Sequence, residues 1–207
     1  FLIFGCEFIE YANMPGVMGR LGQIRGGYYV IDPFAVVALS PRTINVQKAG
    51  DAVANTKRIC EFMDTACMVG AWPGAPVKLV VIPEMGIQGM VANRPGHRET
   101  ERKFAVTIPG PETDVLCAKA KEINAYIAAE LYMVADDDFP DRYFNVAFIV
   151  SPQGEVVYKR YKAASDAYEG GMLGNSNPHD YWDEWVEKKG NGDVMEAIFP
   201  VARTDIG

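Results

Sequence analysis

Two runs in the first half of the chain predict β-strands: the continuous apolar run Phe34–Leu39 and the mainly apolar run Val77–Ile82. The second run contains a single Lys and is followed by Pro83, which halts it. Runs without polar alternation are typical of strands that are buried on both faces. Between them, apolar residues recur at helical spacing from Ala52 to Ala66, which predicts a helix that continues to about residue 68.

The second half of the chain predicts further helices and strands. One helix starts at Pro111, a favoured first position, and its apolar face would carry Leu116, Ala120, Ile123, Ile127 and Leu131. Strands are predicted over residues 132–135, 144–150, 155–158 and 197–202. Ser151–Gly154 reads as a hairpin turn. A short amphipathic helix begins at Pro178, with Trp182, Trp185 and Val186 on one face.

The element order β-α-β-α-β-β-β predicts a sheet covered by helices, hence an α/β protein or a layered α+β sandwich. Residues 1–33 are rich in glycine and lack periodicity, so we expect an N-terminal arm followed by one domain over residues 34–207. The opening Phe1–Cys6 is compatible with the end of a leader sequence or with an ordinary truncation. The lack of a basic segment before it favours truncation.

Composition narrows the classes of function. The 207 residues include 20 Lys and Arg against 27 Asp and Glu, a net charge of −7, which argues against nucleic-acid binding through a basic surface. No apolar run is long enough to cross a membrane. We therefore expect a cytoplasmic protein with neither a nucleic-acid nor a membrane partner. The 4 cysteines are too few for a disulfide scaffold. Cys60, Cys67 and Cys117 lie on predicted helices, where packing is their expected role.

The first candidate catalytic residue is Glu84, which directly follows the buried strand and Pro83. A carboxylate at this position is held by a rigid element and partly desolvated. Desolvation would raise its pKa toward the range of a general base. The alternative is a charged strand end at the surface.

The second candidate is Lys162, the last residue of the cationic segment Lys159–Lys162 that ends a hairpin strand. Strand alternation sends Lys159 and Tyr161 to one face, and Arg160 and Lys162 to the other. One cation can then face a pocket while another stays in water. The alternative is a solvated basic edge that discourages pairing with another sheet.

Other sites are less well supported by the sequence. His97 and His179 have no Cys or carboxylate neighbours at zinc-binding spacing. Asp136–Asp138 could attract a cation, but it lacks the pattern of a calcium loop, so a solvated loop is the preferred interpretation. Glycine-rich nucleotide-binding motifs and the nucleophile elbow of serine hydrolases are absent from the sequence. We expect neither a metal nor a cofactor.

Four blocks in order, Val81–Gly86, Ile108–Thr113, Arg142–Phe148 and Lys159–Lys162, resemble the nitrilase superfamily of carbon–nitrogen hydrolases. The resemblance spans residues 34–207 and implies an α-β-β-α sandwich with a Glu-Lys-Cys triad. It implies that Glu84 is the general base and Lys162 the lysine. In the family, the segment that corresponds to Lys159–Lys162 is usually Lys-Tyr-Arg-Lys, whereas this chain has Lys-Arg-Tyr-Lys. Glu169 lies near a second acidic residue found in many members, and would be an auxiliary site residue.

The resemblance places the nucleophilic cysteine several residues beyond Gly207, since Phe199–Gly207 resembles the lead-in to its strand and no cysteine present fits. It implies an amidase-like hydrolase of a small amide, acting through a thioester, without a metal, and forming homo-oligomers. Within enzymes, the alternatives are a nitrilase, which would take a nitrile, or an N-carbamoyl hydrolase. An alternative of another class is a non-catalytic homologue with a structural or binding role.

Overall fold

A computed structural model describes residues 33–48, 50–72, 74–89, 103–134, 136–164 and 176–207. Its strands are β1 (Ala35–Ala38), β2 (Val77–Val81), β3 (Tyr126–Val134), β4 (Tyr143–Val150) and β5 (Val156–Tyr161). Its α-helices are α1 (Asp51–Gly70), α2 (Pro111–Ile123), α3 (Trp182–Gly190) and α4 (Val194–Ile198), and a 3-10 turn at Pro178–Tyr181 leads into α3. None of the helices in these ranges is both long and apolar enough to cross a membrane.

The strands form one mixed sheet in the order β1-β2-β3-β4-β5. The first three strands run parallel, with helices connecting them, while β4 and β5 are antiparallel to their neighbours. The predicted turn between β4 and β5 is confirmed: the N–H of Gly154 donates to the carbonyl of Ser151 at 2.8 Å, and Gly154 has a φ of 75°. The α/β class, with a sheet layered against helices, is confirmed.

The two faces of the sheet differ in what they carry. One face, here called the core face, packs against the helices, and its fully buried side chains include Ile127, Leu131, Phe144, Val146 and Val150. The opposite face, here called the far face, carries polar side chains at alternate positions. Because directly paired residues share a face, Tyr132 and Asn145 lie together there, as do Glu130 and Ala147. The far face is therefore where chemistry can be expected.

The predicted second helix ends earlier than expected. Helix α2 stops at Ile123, and Asn124 takes up the left-handed conformation (φ 51°) that closes it. Ile127 and Leu131 lie in β3 instead. Residues four apart share a face in a helix and also in a strand, so their spacing could not separate the two structures.

The strand predicted over Phe34–Leu39 is confirmed as β1, but its burial on both faces and the strand predicted over 197–202 are wrong. Val36 is 44 % exposed, because β1 lies at an edge of the described sheet. The strand predicted over 197–202 is replaced by the end of α4, which Asp193 caps by accepting from the N–H of Met195 at 2.7 Å. The strand predicted over 132–135 is part of the longer β3 as far as Val134, and residue 135 lies outside the described residues. Residues 1–32 of the predicted arm lie outside the described residues.

Asp136 contradicts the prediction of a solvated loop at 136–138. Its carboxylate is buried and lies 2.8 Å from the ammonium of Lys189, and it also accepts from the hydroxyl of Tyr161. Lys189 belongs to α3, whose Trp185 stacks on Phe139 with ring centroids 5.0 Å apart. The charged pair and the aromatic stack together fix α3 against the core face. The predicted helix after Pro178 is confirmed.

Candidate active site

Glu84 lies in a tight turn at the carboxyl end of β2. Pairing with β3 continues as far as Ile82, whose N–H donates to Ala128 at 2.8 Å. Pro83 has no N–H to continue the pairing, and the chain then turns. Gly86 N–H returns to the Pro83 carbonyl at 3.0 Å, and Met85 takes a φ of 60°. Strand β2 therefore delivers Glu84 to the carboxyl ends of the parallel strands, where sites of α/β proteins lie.

The carboxylate of Glu84 receives two donors at one oxygen. Lys162 Nζ lies 2.9 Å from Oε1, and Asn145 Nδ2 donates to the same atom at 2.7 Å. Within the described residues, these two groups donate to Oε1, and the other carboxylate oxygen, Oε2, has no hydrogen-bond or ion-pair partner. The Glu84 side chain is 47 % exposed and that of Lys162 is 28 % exposed. The desolvation expected of Glu84 is thus incomplete, while the predicted convergence of Glu84 and Lys162 is present.

The β4–β5 hairpin sets which lysine reaches Glu84. The N–H of Lys162 donates to the Asn145 carbonyl at 2.9 Å, which continues the pairing one residue beyond β5. Tyr161 turns to the core face, where its ring meets Phe144 edge-on at 5.3 Å. Alternation therefore places Lys162 on the far face beside Asn145. The ammonium of Lys159 lies instead 3.4 Å from the Ile108 carbonyl. The reversed order of Arg160 and Tyr161 in this segment therefore does not prevent Lys162 from contacting Glu84.

A second carboxyl group, that of Glu130 in β3, is buried behind the Glu84 turn. Its Oε2 accepts the N–H of Met85 at 2.7 Å. Burial raises the pKa of Glu130 from 4.5 to about 7. The N–H of Met85 and the charge of Lys162 oppose that rise, while the charge of Glu84 adds to it. Glu130 therefore changes its charge near neutral pH, within the field of the Glu84–Lys162 pair.

Sequence reasoning did not select Asn145 or Glu130 as site residues. Each is a single polar residue inside an otherwise apolar strand, in the segments Tyr143–Val150 and Tyr126–Val134. A polar side chain in a buried run needs a hydrogen-bond partner, and this requirement is the signal in the sequence that could have marked both residues as site candidates. The partners themselves depend on strand pairing across the sheet.

Among the remaining candidates, the cysteines that the structure describes do not join this cluster. Glu169 lies outside the described residues, as do Cys6 and His97. Burial raises the pKa of Cys60 to about 11 and also raises the pKa of Cys67 and of Cys117. These thiols lie on α1 and α2, which pack against the opposite face of the sheet. Within the described ranges, no three His, Cys, Asp or Glu side chains are grouped so as to hold a metal ion.

All five described strands lie within a region that matches a known protein family. The sequence model of the family described as "Carbon-nitrogen hydrolase" matches residues 34–174, about two thirds of the 207 residues. The chain belongs to the carbon–nitrogen hydrolase family. The matched region contains Glu84, Glu130, Asn145 and Lys162. The resemblance to the nitrilase superfamily of carbon–nitrogen hydrolases is thereby confirmed.

Individual relatives are similar over shorter stretches. A formamidase from Bacillus cereus (strain Q1) is 36 % identical over 91 residues, which are 44 % of this chain and 25 % of the formamidase. A formamidase from Bacillus anthracis (strain A0248) is 35 % identical over 91 residues, with the same coverage of 44 % and 25 %. The matched stretch thus spans about a quarter of the length of these relatives. Their names agree with the amidase-like branch that the resemblance implied.

Solved structures agree at the level of the fold. An N-terminal amidase crystallised with a Gln-Val peptide superposes with a TM-score of 0.55 at 16 % identity, covering 70 % of this chain and 31 % of the amidase. A second structure of an N-terminal amidase gives a TM-score of 0.53, with the same identity of 16 % and the same coverage of 70 % and 31 %. At such identities the likeness concerns the fold alone, and it confirms the layered α/β architecture of the family.

Proposed function

We propose that the complete protein hydrolyses the C–N bond of a small amide through a cysteine thioester, with Glu84 as general base and Lys162 as the stabilising cation. The observation that carries the proposal is the shared oxygen of Glu84, which lies 2.9 Å from Lys162 Nζ and 2.7 Å from Asn145 Nδ2. The nucleophile in this proposal is a cysteine C-terminal to Gly207. Glu169 is kept as an auxiliary residue because of its place in the sequence only.

The first half of the reaction forms the thioester. Glu84 Oε2 takes the thiol proton as sulfur attacks the amide carbon, so the C–S bond forms and the carbonyl π electrons move to oxygen. Lys162 stabilises that oxyanion as an ammonium, a contribution of about 3 kcal/mol for one well-placed donor. The C–N bond then breaks, and protonated Glu84 gives its proton to the departing amine.

The second half releases the acid. Glu84, again a carboxylate, takes a proton from water as the water oxygen attacks the thioester carbon. Collapse of this second tetrahedral intermediate breaks the C–S bond and returns the proton to sulfur. The products are a carboxylic acid and ammonia or an amine. Asn145 and Lys162 hold Oε1 throughout, so that Oε2 faces each proton transfer in the same orientation.

For the substrate, we propose a small aliphatic amide, with formamide as the first compound to test. The support is the similarity to proteins named formamidase over 44 % of this chain. The net charge of −7 supports a small-molecule substrate rather than nucleic acid. We also propose that the protein is a cytoplasmic homo-oligomer without a membrane partner. In this proposal residues 34–207 form part of the catalytic domain, and residues 1–33 form an N-terminal arm.

The test is an assay of the complete protein, including the sequence that follows Gly207, on a panel of amides, nitriles and N-carbamoyl compounds. We expect release of ammonia from small amides and an acyl adduct on one cysteine after Gly207, detected by mass spectrometry of the quenched enzyme. Glu84→Gln should abolish both adduct formation and turnover. Turnover of nitriles alone, or of N-carbamoyl compounds alone, would replace the amidase assignment.

Cys117→Ala provides the matched control for the nucleophile. Because this thiol lies on α2, away from the far face, the variant should keep the adduct and most of the activity. Loss of the adduct in Cys117→Ala would contradict the proposed position of the nucleophile. A complete protein with Ser or Ala at the nucleophile position and without turnover would instead be the non-catalytic homologue.

A further inference from the structure

The turn that carries Glu84 is attached to β3 at three successive positions of one face. The carbonyl of Ala128 accepts the N–H of Ile82 at 2.8 Å, just before the turn. The N–H of Tyr132 donates to Oε1 of Gln88 at 2.6 Å, at the far end of the turn. Between them, Oε2 of Glu130 accepts the N–H of Met85 at 2.7 Å. Of these three attachments, only that of Glu130 acts on the residue next to Glu84.

Met85 is a residue whose backbone needs such support. Its φ of 60° lies in the left-handed region, which a side chain with a Cβ adopts at an energetic cost. A conformation of this kind persists where surrounding contacts determine it. The peptide N–H that Glu130 holds is also the peptide that follows the Cα of Glu84, so moving it rotates the Glu84 side chain relative to Lys162.

Glu130 is a costly way to provide this contact. Its side chain is buried, and Oε1 has no hydrogen-bond partner within the described residues. The charges that act on it come from Glu84, which follows β2, and Lys162, which follows β5. A buried carboxyl group with one hydrogen bond is less favourable than an apolar side chain of similar size. A buried acid at this position therefore points to a requirement of the site and not of packing.

We propose that Glu130 is a positioning residue of the active site: it holds the Met85 peptide and thereby sets the orientation of Glu84 toward Lys162. The inference rests on the proposed function, because it assigns Glu130 to the same site. Glu130 itself exchanges no proton with the substrate in this scheme. Its role is to keep the backbone of the turn in one conformation.

Two substitutions separate the reach of Glu130 from its charge. Glu130→Asp keeps the charge but withdraws the oxygen from Met85 N–H by about one C–C bond length, whereas Glu130→Gln keeps the reach and removes the charge. In the complete protein we expect kcat of Glu130→Asp to fall about ten- to hundredfold with KM within about twofold, since small misplacements of catalytic groups carry such costs. Glu130→Gln should stay within about threefold of the original kcat.

A second readout does not depend on activity. In the same proteins, hydrogen exchange of the Met85 amide should be at least about tenfold faster in Glu130→Asp, and unchanged in Glu130→Gln. Glu112→Asp is the matched control, because Glu112 is equally buried with an unpaired oxygen, and the charge that acts on it is that of Asp114. It should alter neither kcat nor Met85 exchange.

The two readouts distinguish failure of this inference from failure of the proposed function. If the complete protein hydrolyses amides but Glu130→Asp matches it in kcat and in Met85 exchange, Glu130 is not a positioning residue. The same conclusion follows if Glu130→Gln loses as much kcat as Glu130→Asp. If no amide, nitrile or N-carbamoyl compound is hydrolysed but the exchange pattern appears, the proposed function fails and the hold of Glu130 on the turn stands.

Discussion

Asn145 and Lys162 are joined twice: the Lys162 N–H donates to the Asn145 carbonyl at 2.9 Å, and both side chains donate to Oε1 of Glu84. The first contact is a sheet hydrogen bond between β4 and the continuation of β5. It fixes the spacing of the two side chains, so that an amide and an ammonium reach one carboxylate oxygen. The hairpin thus aligns the donors before any substrate binds, which is the preorganisation that electrostatic catalysis requires.

Substitution of Asn145 should therefore affect the activity in a charge-dependent way. Asn145→Ala removes one donor and leaves Lys162 in place, so kcat should fall about tenfold, a typical cost for one charge-assisted hydrogen bond. Asn145→Asp puts a second carboxylate against Glu84, and the pair will then share a proton near neutral pH. We expect a loss of kcat of about a hundredfold and a shift of the acidic limb of the pH–rate profile to higher pH. Equal activity of the two variants would contradict the contact.

The two lysines of the Lys159–Lys162 segment should differ sharply in their importance. Lys162→Met keeps the length of the side chain but removes the cation from Glu84, so we expect kcat to fall by at least about a hundredfold. Lys159→Met is the matched control, because the Lys159 ammonium lies near the Ile108 carbonyl and not near Glu84. It should keep kcat within about twofold. A larger loss in Lys159→Met than in Lys162→Met would show that the wrong lysine has been assigned.

The family resemblance selected Lys162 over Lys159, and alternation in β5 was sufficient to place the two cations on opposite faces, because strand geometry is local. It separates Tyr161 from Lys162 whatever the rest of the chain does. The end of α2 was not predictable in the same way, since Ile127 and Leu131 fit a helical face and a strand face equally well. There Asn124, in the left-handed conformation, ends the helix, and a single Asn in the sequence is a weak signal for a helix end.

The rest of the site depends on contacts between distant parts of the chain. Asn145 meets Glu84 across 61 residues of sequence, and Met85 meets Glu130 across 45. Which polar residue of a strand finds which partner is set by the pairing register of β3 and β4, and residue types alone leave that register open. The burial of Asp136 has the same origin, because its partner Lys189 lies 53 residues away on α3.

Glu130 should make the stability of the protein depend on pH. Its pKa is raised by burial from 4.5 to about 7, so between these values the folded protein binds more protons than the unfolded chain. The contribution of Glu130 to the free energy of unfolding is then highest below about pH 4.5, and it falls as the pH rises through about 7. The expected loss is about 3 kcal/mol, at 1.4 kcal/mol for each pH unit of difference.

Urea denaturation of the complete protein at pH 5, 6, 7 and 8 measures this dependence. Glu130→Gln cannot ionise, so its stability relative to the original protein should improve by about 2 to 3 kcal/mol between pH 5 and pH 8, since part of the change lies below pH 5. Glu61→Gln, at an exposed position on α1, is the matched control for the loss of one carboxylate. A Glu130→Gln difference that is flat across this range would contradict the burial of an ionisable group.

The ion pair between Asp136 and Lys189 should matter for stability and not for the active site. Burial raises the pKa of Asp136, but the hydrogen bonds from Lys189 and Tyr161 outweigh it, so the net pKa is lowered. Lys189→Met removes the main partner and leaves a buried, poorly compensated carboxylate, for which we expect about 3–5 kcal/mol of lost stability in urea denaturation. Because the folded pKa lies below the unfolded one, the contribution of Asp136 is present above the unfolded pKa and is lost as the pH falls through the folded value.

The neighbouring residue supplies the control for this pair. Lys188 also bonds a carboxylate, that of Glu184 at 2.8 Å, but the pair is exposed and one helical turn apart. Lys188→Met should therefore cost less than about 1 kcal/mol. Adding Asp136→Asn to Lys189→Met removes the stranded charge, so the double variant should regain part of the stability. If Lys189→Met costs no more than Lys188→Met, the charged pair does not hold α3 on the sheet, and the ring contacts of Trp185 with Phe139, Phe144 and Tyr161 hold it instead.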